Sequence, residues 1–293
     1  MRAIKERANA KINLFLDVIS RREDGFHDIK TVMHSISLAD EVTVIYKPSA
    51  KTNIRISLKG NRFLPVDEKN LAYKAAKLFL DSAKITADIE IRLEKRIPVA
   101  AGLAGGSSDA AATLRAMNKI FGRLFGERAL YRMAEILGSD VPYCLYGKTA
   151  LCEGRGEILT KLPDGLNLNV VVAISNERVS TPVAYAGLDG AFSNFDGTKK
   201  TVDPSVYDNL IISLESGDLT GECLFNIFEK TVFDVCPRAL KIKNTMYELG
   251  AQYALMSGSG PSVFGVFKNK ADAEKACSAL KAEKITAFCA SSV

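Results

Sequence analysis

The chain contains no tryptophan and only two histidines, His27 and His34. A histidine-rich zinc site cannot be assembled from that pair, and a Ser-His-Asp triad would have to use one of them. No stretch approaches the about 18 consecutive apolar residues that a membrane-spanning helix needs. The first eleven residues carry Arg2, Lys5, Glu6, Arg7 and Lys11 with no apolar run behind them, which predicts neither export nor membrane insertion and points to the cytoplasm. The six cysteines, Cys144, Cys152, Cys223, Cys236, Cys277 and Cys289, show no CxxC spacing and lie mostly in apolar segments, so buried free thiols are expected. There is no internal repeat and no low-complexity tract.

What is present is globular. Of 293 residues, 47% are hydrophobic and 25% charged, which excludes wholesale disorder and collagen-like or coiled-coil architectures. At roughly 150 residues per domain the length suggests two domains. A net charge of +5 suits an anionic small-molecule substrate and also allows weak nucleic-acid contact.

Residues 3–160 read as strands followed by helices. Alternation over residues 10–16 predicts a strand with Ala10, Ile12, Leu14 and Leu16 on one face and Lys11 and Asn13 sharing the other. Further strands are predicted over 41–46, 53–58 and 88–93, and helices over 70–83, 108–121 and 128–137, the last stopped by Gly138. The turn-forming cluster Leu162-Pro163-Asp164-Gly165 marks a domain boundary, giving residues 1–162 and 163–293. The second part reads as a strand (167–174), a helix (237–249), two strands (253–256 and 263–267), a helix (271–282) and a strand (285–289). This β-α-β-β-α-β order is ferredoxin-like, with a less regular stretch, 176–224, inserted after the first strand. The fold class is therefore α+β.

The most informative segment is Pro98-Val99-Ala100-Ala101-Gly102-Leu103-Ala104-Gly105-Gly106-Ser107-Ser108, between a predicted strand and a predicted helix. Small residues let the backbone approach a ligand, serine hydroxyls donate to phosphate oxygens, and a helix N-terminus supplies unpaired N–H groups and partial positive charge. The loop lacks the Gly-Lys-Ser/Thr ending of a Walker A motif and fails the GxGxxG fingerprint. Its chemistry is that of a phosphate cradle; the alternative is that Ser107 or Ser108 simply caps a helix packed through its alanines.

This loop, continued by Asp109-Ala110-Ala111, resembles the second signature of the GHMP kinase superfamily. The likeness extends to Ala10-Lys11-Ile12-Asn13-Leu14-Phe15-Leu16, Arg22-Glu23-Asp24-Gly25-Phe26-His27, Gly138-Ser139-Asp140-Val141-Pro142 and Met256-Ser257-Gly258-Ser259-Gly260-Pro261-Ser262. These motifs stand in family order and span nearly the whole chain. They match the branch whose members phosphorylate the 2-hydroxyl of a cytidine-diphosphate-linked methylerythritol in non-mevalonate isoprenoid synthesis. The resemblance implies a ribosomal-S5-like N-terminal ATP-binding and catalytic domain, a ferredoxin-like C-terminal domain, and ATP with Mg2+ as cofactors.

It also implies roles. Phosphoryl transfer asks a protein for positioning, charge stabilisation and a group that handles the acceptor's proton. Asp140 is the expected general base and Lys11 its cationic partner; without the family, Asp140 reads as turn chemistry and Lys11 as a solvated strand lysine. Asn13, on the face of Lys11, is expected to bind substrate hydroxyls or to orient Asp140. Phe26 and Tyr185 are expected to sandwich a cytosine whose edge His27 reads. The family pattern often carries tyrosine in place of Phe26 and sometimes an aromatic in place of Met33. Gly258, Ser259 and Gly260, otherwise a hairpin turn, are expected to face the substrate and phosphates. Magnesium is expected to be held mostly by phosphate oxygens and water, with a hydroxyl from Ser107 or Ser108. Asn70 and residues 95–97 are adenine-pocket candidates, and His34 is read as structural.

The expected partner is the small cytidyl substrate, without nucleic acid or membrane, for a monomer or weak homodimer. Two other readings stand beside this one: a mevalonate- or homoserine-type GHMP kinase, which has no use for an aromatic sandwich, and an RNA-binding protein with an S5-like domain. Against the last, no Lys/Arg-rich run with interleaved aromatics appears, and basic clusters such as Lys199-Lys200 are short pairs.

Overall fold

Two long strands open the chain, β1 (Arg2–Arg21) and β2 (His27–Pro48), followed by β3 (Asn53–Lys59), α1 (Leu71–Ala83) and β4 (Ala87–Glu94). Then come α2 (Gly105–Ile120), α3 (Glu127–Leu137), α4 (Val141–Tyr146), β5 (Thr149–Glu153), β6 (Ile158–Lys161), β7 (Asn169–Ile174), α5 (Thr181–Ala191) and α6 (Pro204–Ser216). The chain ends with β8 (Phe225–Asn226), α7 (Glu229–Val235), α8 (Pro237–Glu248), β9 (Tyr253–Met256), β10 (Val263–Phe267), α9 (Lys270–Ala282) and β11 (Thr286–Ser291). This computed structural model describes residues 1–60, 64–191, 202–219 and 222–293; the Lys199-Lys200 pair lies outside the described residues.

The chain divides into two units. The first comprises Met1–Ala10, Ala39–Val99 and Ala104–Gly147; the second comprises Lys11–Leu38, Ala100–Leu103 and Lys148–Val293.

In the first unit, β3 and β4 run parallel, from Asn53 opposite Asp88 to Lys59 opposite Glu94, and α1 makes the crossover between them. The far half of β2 adds antiparallel to β4, with Glu41 opposite Glu94. In β4 the alternation Ala87, Ile89, Ile91, Leu93 faces inward. Helix α1 starts where Asn70 accepts the Ala72 N–H at 2.9 Å and ends at Lys84 in left-handed conformation. Its alanines and Phe79 pack on the small-residue face of α2, where Ala110, Ala111, Ala112 and Ala116 are wholly buried. Short side chains let the two helices approach closely.

In the second unit, a four-stranded antiparallel sheet has the order β11-β7-β10-β9, with α8 and α9 packed against it. This is the ferredoxin-like arrangement the sequence pattern predicts. Strand β7 is buried along Val170, Val171, Val172 and Ala173, each valine contributing about 1.5–3 kcal/mol of apolar burial. The near half of β2 pairs with β5, and β5 with β6; β8 lies parallel to β1 with Phe15 opposite Phe225.

Several expectations are corrected. The strand of residues 10–16 extends over all of β1, and the segment 41–46 is only the far end of β2. The alternative of a solvated strand lysine at position 11 does not hold, since Lys11 and its neighbour on that face, Asn13, are 4% and 1% exposed. The irregular insertion after the first ferredoxin-like strand contains α5 and α6. Two of the six thiols are not buried, Cys144 being half-buried and Cys289 exposed, although all six are free.

Candidate active site

The second unit builds its site around a buried ammonium. Lys11 Nζ donates to Asn13 Oδ1 at 2.7 Å and to the Gly102 carbonyl at 2.9 Å, and its backbone N–H donates to Leu103 O at 3.2 Å. Asn13 is locked in turn: its Nδ2 donates to Thr31 Oγ1 at 2.8 Å, and its Oδ1 also accepts the Gly258 N–H at 2.9 Å. Among the described residues of its own unit Lys11 Nζ has only these neutral acceptors and no ion pair with a carboxylate. Such a charge is costly unless an anion joins it. Two of its three N–H donors are engaged among the described residues.

The loop of residues 257–262 joins β9 to β10 and is tied to the same place. Ser257 Oγ donates to Gly102 O at 3.1 Å, and Ser262 Oγ donates to Ala101 O. Asn226 on β8 donates through Nδ2 to Met256 O at 2.7 Å and Gly258 O at 2.9 Å, fixing the loop from behind. Gly258 has φ 58°, and a Cβ there would meet Gly102 O at 3.0 Å and Lys11 Nζ at 3.3 Å. Glycine is therefore required both for the left-handed backbone and for closeness to the ammonium. The structure thus brings Lys11, Asn13, Gly102 and Gly258 together. Ser259 lies at the edge, its Oγ 3.0 Å from Thr181 Oγ1.

A second cluster of this unit gathers His27 and Tyr185. Their rings stack at 4.6 Å with a 29° interplanar angle, and Tyr185 meets the buried Phe228 edge-on at 4.8 Å. His27 Nε2 lies 2.8 Å from Asp189 Oδ1, one turn along α5 from Tyr185. That pairing orients the imidazole and leaves Nδ1 for a ligand. Phe26 projects from the β1–β2 turn, 53% exposed, with the Arg155 guanidinium 5.2 Å from its ring centroid. Met33, by contrast, is buried in β2. His34 is structural: Nδ1 pairs with Thr149 Oγ1 and Nε2 with Ser292 Oγ, both at 2.8 Å, and burial pushes its pKa down to about 4, with Asp164 opposing.

The glycine-rich segment turns left-handed at Ala100, Gly102 and Ala104, with φ of 54°, 71° and 56°. Two of these residues carry a Cβ, and backbone strain of this kind concentrates at functional sites. In the first unit, α2 begins at Gly105 rather than at 108, with Ala104 as its N-cap and no side-chain cap. Neither Ser107 nor Ser108 caps it. Ser108 is buried and donates to Asn9 O, while Ser107 is half-buried and its hydroxyl makes no hydrogen bond among the described residues. The first amides of a helix have no intrahelical acceptor, and among the described residues no side chain caps this one, so its first amides can face an anion.

Asp140, also in the first unit, occupies the N-cap position of α4 without spending its carboxylate there. Its backbone carbonyl accepts the Cys144 N–H at 3.0 Å, and its side chain makes no hydrogen bond among the described residues. The side-chain capping role is thus absent.

Sequence reasoning missed a buried charge cluster in this unit. Lys95 Nζ donates to Asp40 Oδ2 and, at 2.5 Å, to Asp109 Oδ2; the three side chains are 3%, 0% and 4% exposed. Asp40 Oδ1 accepts the backbone N–H groups of Arg96 at 2.5 Å and Ile97 at 2.8 Å. Burial pushes the Asp109 carboxyl up to about 7, with Lys95 opposing the rise and Asp40 adding to it. Burial also disfavours the Lys95 ammonium, but the two carboxylates outweigh it and its pKa is raised. The presence of Asp109 in the glycine-rich motif was the available signal. Asn70 is committed to its helix cap and to Pro65 O at 2.8 Å. Among the described residues no group of three or more His, Cys, Asp or Glu side chains is placed to hold a metal ion.

Residues 70–148 match the family model of the GHMP kinases N terminal domain, and residues 210–286 that of the GHMP kinases C terminal. The fold and these motifs define a two-domain GHMP kinase. The chain is 42% identical over 279 residues to the 4-diphosphocytidyl-2-C-methyl-D-erythritol kinase of Lachnoclostridium phytofermentans, covering 94% of this chain and 92% of that one. It is 38% identical to that of Macrococcus caseolyticus, covering 95% of each. A crystal structure of 4-(cytidine 5'-diphospho)-2C-methyl-D-erythritol kinase superposes with a TM-score of 0.79 at 32% identity, covering 98% of both chains. The chain belongs to the 4-diphosphocytidyl-2-C-methyl-D-erythritol kinase family.

Proposed function

We propose that this enzyme transfers the γ-phosphoryl group of ATP to the 2-hydroxyl of 4-diphosphocytidyl-2-C-methyl-D-erythritol, a step of non-mevalonate isoprenoid synthesis. The observation that carries the chemistry is Lys11, a 4% exposed ammonium that, among the described residues of its own unit, is held only by neutral acceptors. A phosphoryl group supplies the missing negative charge, and the third N–H stabilises charge that builds on it during transfer.

The other residues follow by chemistry. The segment from Pro98 to Ser108 binds the polyphosphate through small side chains and the uncapped amides of α2. Asp140 takes the proton of the acceptor hydroxyl, which needs a carboxylate not consumed elsewhere. Asn13, Gly258, Ser259 and Gly260 position acceptor and phosphate groups. Tyr185 and Phe26 hold the cytosine faces, and His27 reads its edge through Nδ1. Phe26 stacks without the hydroxyl that a tyrosine would add, so base recognition rests on His27.

Magnesium fits this donor set: with no dedicated metal cluster among the described residues, phosphate oxygens and water form most of its shell, and Ser107 would hold it through its hydroxyl. When bound it neutralises charge on the phosphate oxygens. The same proposal assigns ATP binding and catalysis to residues 1–162 and the GHMP C-terminal part to 163–293. It reads the enzyme as a cytoplasmic monomer or weak homodimer that takes a small cytidyl substrate and no nucleic acid. Six free thiols support a reducing compartment.

The test is ADP release with ATP and a panel of alcohols: the cytidyl compound, mevalonate and homoserine. Turnover is expected with the cytidyl compound alone; turnover with mevalonate or homoserine at comparable efficiency overturns the assignment.

A further inference from the structure

Lys95 is one of the adenine-pocket candidates of the sequence, but its ammonium is committed to Asp40 and Asp109, and this cluster takes no part in the phosphoryl transfer described above; its composition is not what stability asks for. Two carboxylates share one ammonium away from water, an arrangement that apolar residues of similar volume match or better in stability. One of its atoms, Asp109 Oδ1, is buried with no hydrogen-bond partner among the described residues. Buried polar atoms are nearly always paired, so an orphan of this kind marks a place where geometry is held against cost.

The cluster joins three segments of the first unit. Asp40 lies on β2, Lys95 follows β4, and Asp109 stands in the second turn of α2. Each is anchored further: Asp40 grips the backbone of Arg96 and Ile97, and Lys95 N donates to Lys59 O at 2.8 Å at the end of β3. The start of α2 rests directly on this assembly. A Cβ at Gly105 would lie 3.0 Å from Ile97 Cγ2 and 3.6 Å from Lys95 Nζ, so the first helical residue sits against both side chains. The neighbouring charges Arg96, Glu94 and Glu41 form surface ion pairs with one another and with Lys5 and Lys59, and none of their side chains hydrogen-bonds to the cluster among the described residues, although the Arg96 guanidinium is close enough to feel the Asp40 charge.

We propose that Lys95 is a positioning residue for the nucleotide: tied to Asp40 and Asp109, it holds the N-terminus of α2 against residues 95–97, so that the amides of Gly105, Gly106 and Ser107 are aligned before the polyphosphate arrives. The proposal rests on the reading of that helix end as the phosphate site. Alignment of this kind governs nucleotide affinity and leaves the acceptor side untouched, because none of the three residues is assigned to acceptor or to proton transfer. A purely structural cluster would act on stability alone.

The full-length enzyme decides between these. The double variant Lys95→Met/Asp109→Leu exchanges the ion pair for apolar side chains and leaves Asp40 with its two backbone donors. ATP binding is measured by calorimetry without acceptor, beside kcat, both KM values and thermal unfolding. The expected result is an ATP Kd and KM raised roughly ten-fold or more, with kcat at saturating ATP and acceptor KM changed by less than about two-fold. A folded double variant that binds ATP like wild type overturns the proposal, as does an equal loss toward both substrates. If the double variant does not fold, Asp109→Ala, which removes the α2 end of the tie and leaves Lys95 paired with Asp40, decides: a several-fold rise in ATP Kd supports the proposal and a wild-type Kd overturns it. Because ATP binding is read without acceptor, a wild-type enzyme that fails to phosphorylate the cytidyl compound refutes the functional reading and leaves this test intact.

Discussion

Gly102 offers the sharpest perturbation. Its φ is 71°, its carbonyl accepts both Lys11 Nζ and Ser257 Oγ, and a Cβ built there would stand 2.1 Å from the Ser257 carbonyl oxygen and 3.4 Å from that of Gly260. In Gly102→Ala the left-handed backbone costs an L-residue about 1–2 kcal/mol. The contact is more demanding, since a Cβ and a carbonyl oxygen need roughly 3.2 Å, so one backbone must retreat by about 1 Å. Either retreat pulls an acceptor from Lys11 or shifts Gly258, which lies against the same ammonium. Displacements of about 1 Å at reacting groups cost on the order of 100-fold in rate. Steady-state kinetics with the cytidyl acceptor should therefore show kcat down by about two orders of magnitude, and thermal unfolding a loss of roughly 1–3 kcal/mol. An alanine variant with wild-type kcat and unfolding temperature would refute the close approach of the two loops and the dependence of Lys11 on it.

Lys11→Ala and Asp140→Asn should each reduce kcat by orders of magnitude while calorimetry finds ATP binding nearly intact; near-wild-type turnover in either removes that residue from the reaction. Tyr185→Ala should raise the KM of the cytidyl acceptor by roughly 5- to 100-fold, the worth of about 1–3 kcal/mol of base stacking, with the KM of ATP unchanged; equal effects on both substrates would mean that the ring only packs on Phe228. His34 makes stability fall on acidification. Its unfolded imidazole titrates near 6.5 and its folded one at about 4, so between these values the unfolded state binds more protons. Stability therefore drops as pH is lowered from 6.5 toward 4, by up to roughly 3 kcal/mol. His34→Gln should flatten that acid limb in urea unfolding, and an unchanged slope would assign the loss to other groups.

Much of the second unit was legible in the sequence because its core elements obey one rule each: β7 is a continuous apolar run, and α8 and α9 carry helical periodicity. The near half of β2 was not, since Thr31, His34 and Ser35 are buried polar residues that break the alternation a half-buried strand should show. Lys11 illustrates the same blind spot. On a strand covered on both faces, a lysine and an asparagine between apolar residues look like a solvated face, and only their long-range partners at Gly102, Thr31 and Gly258 reveal otherwise. The start of α2 was placed three residues late because glycine is a poor helix former and serine a favoured cap, so propensity pointed to 108; packing against Ile97 and Lys95 starts it at Gly105 instead. The triad of Asp40, Lys95 and Asp109 draws on three elements far apart in sequence, and no spacing rule could assemble it. The motifs themselves were readable because phosphate chemistry constrains residue size and type locally.

Asn13 carries a consequence for how the site responds to change at a distance. Its oxygen receives two donors, Lys11 and Gly258, and its nitrogen is spent on Thr31, whose hydroxyl passes the chain on to the Phe15 carbonyl at 2.6 Å. A flipped amide would set two N–H groups against two others, so the orientation is decided by the scaffold and not by the ligand. Such an amide loses little rotational freedom when substrate arrives. With Asn13 proposed to position the acceptor, Thr31 is the residue that fixes its orientation, and a Thr31→Val enzyme should become less selective among polyol stereoisomers although residue 31 is fully buried.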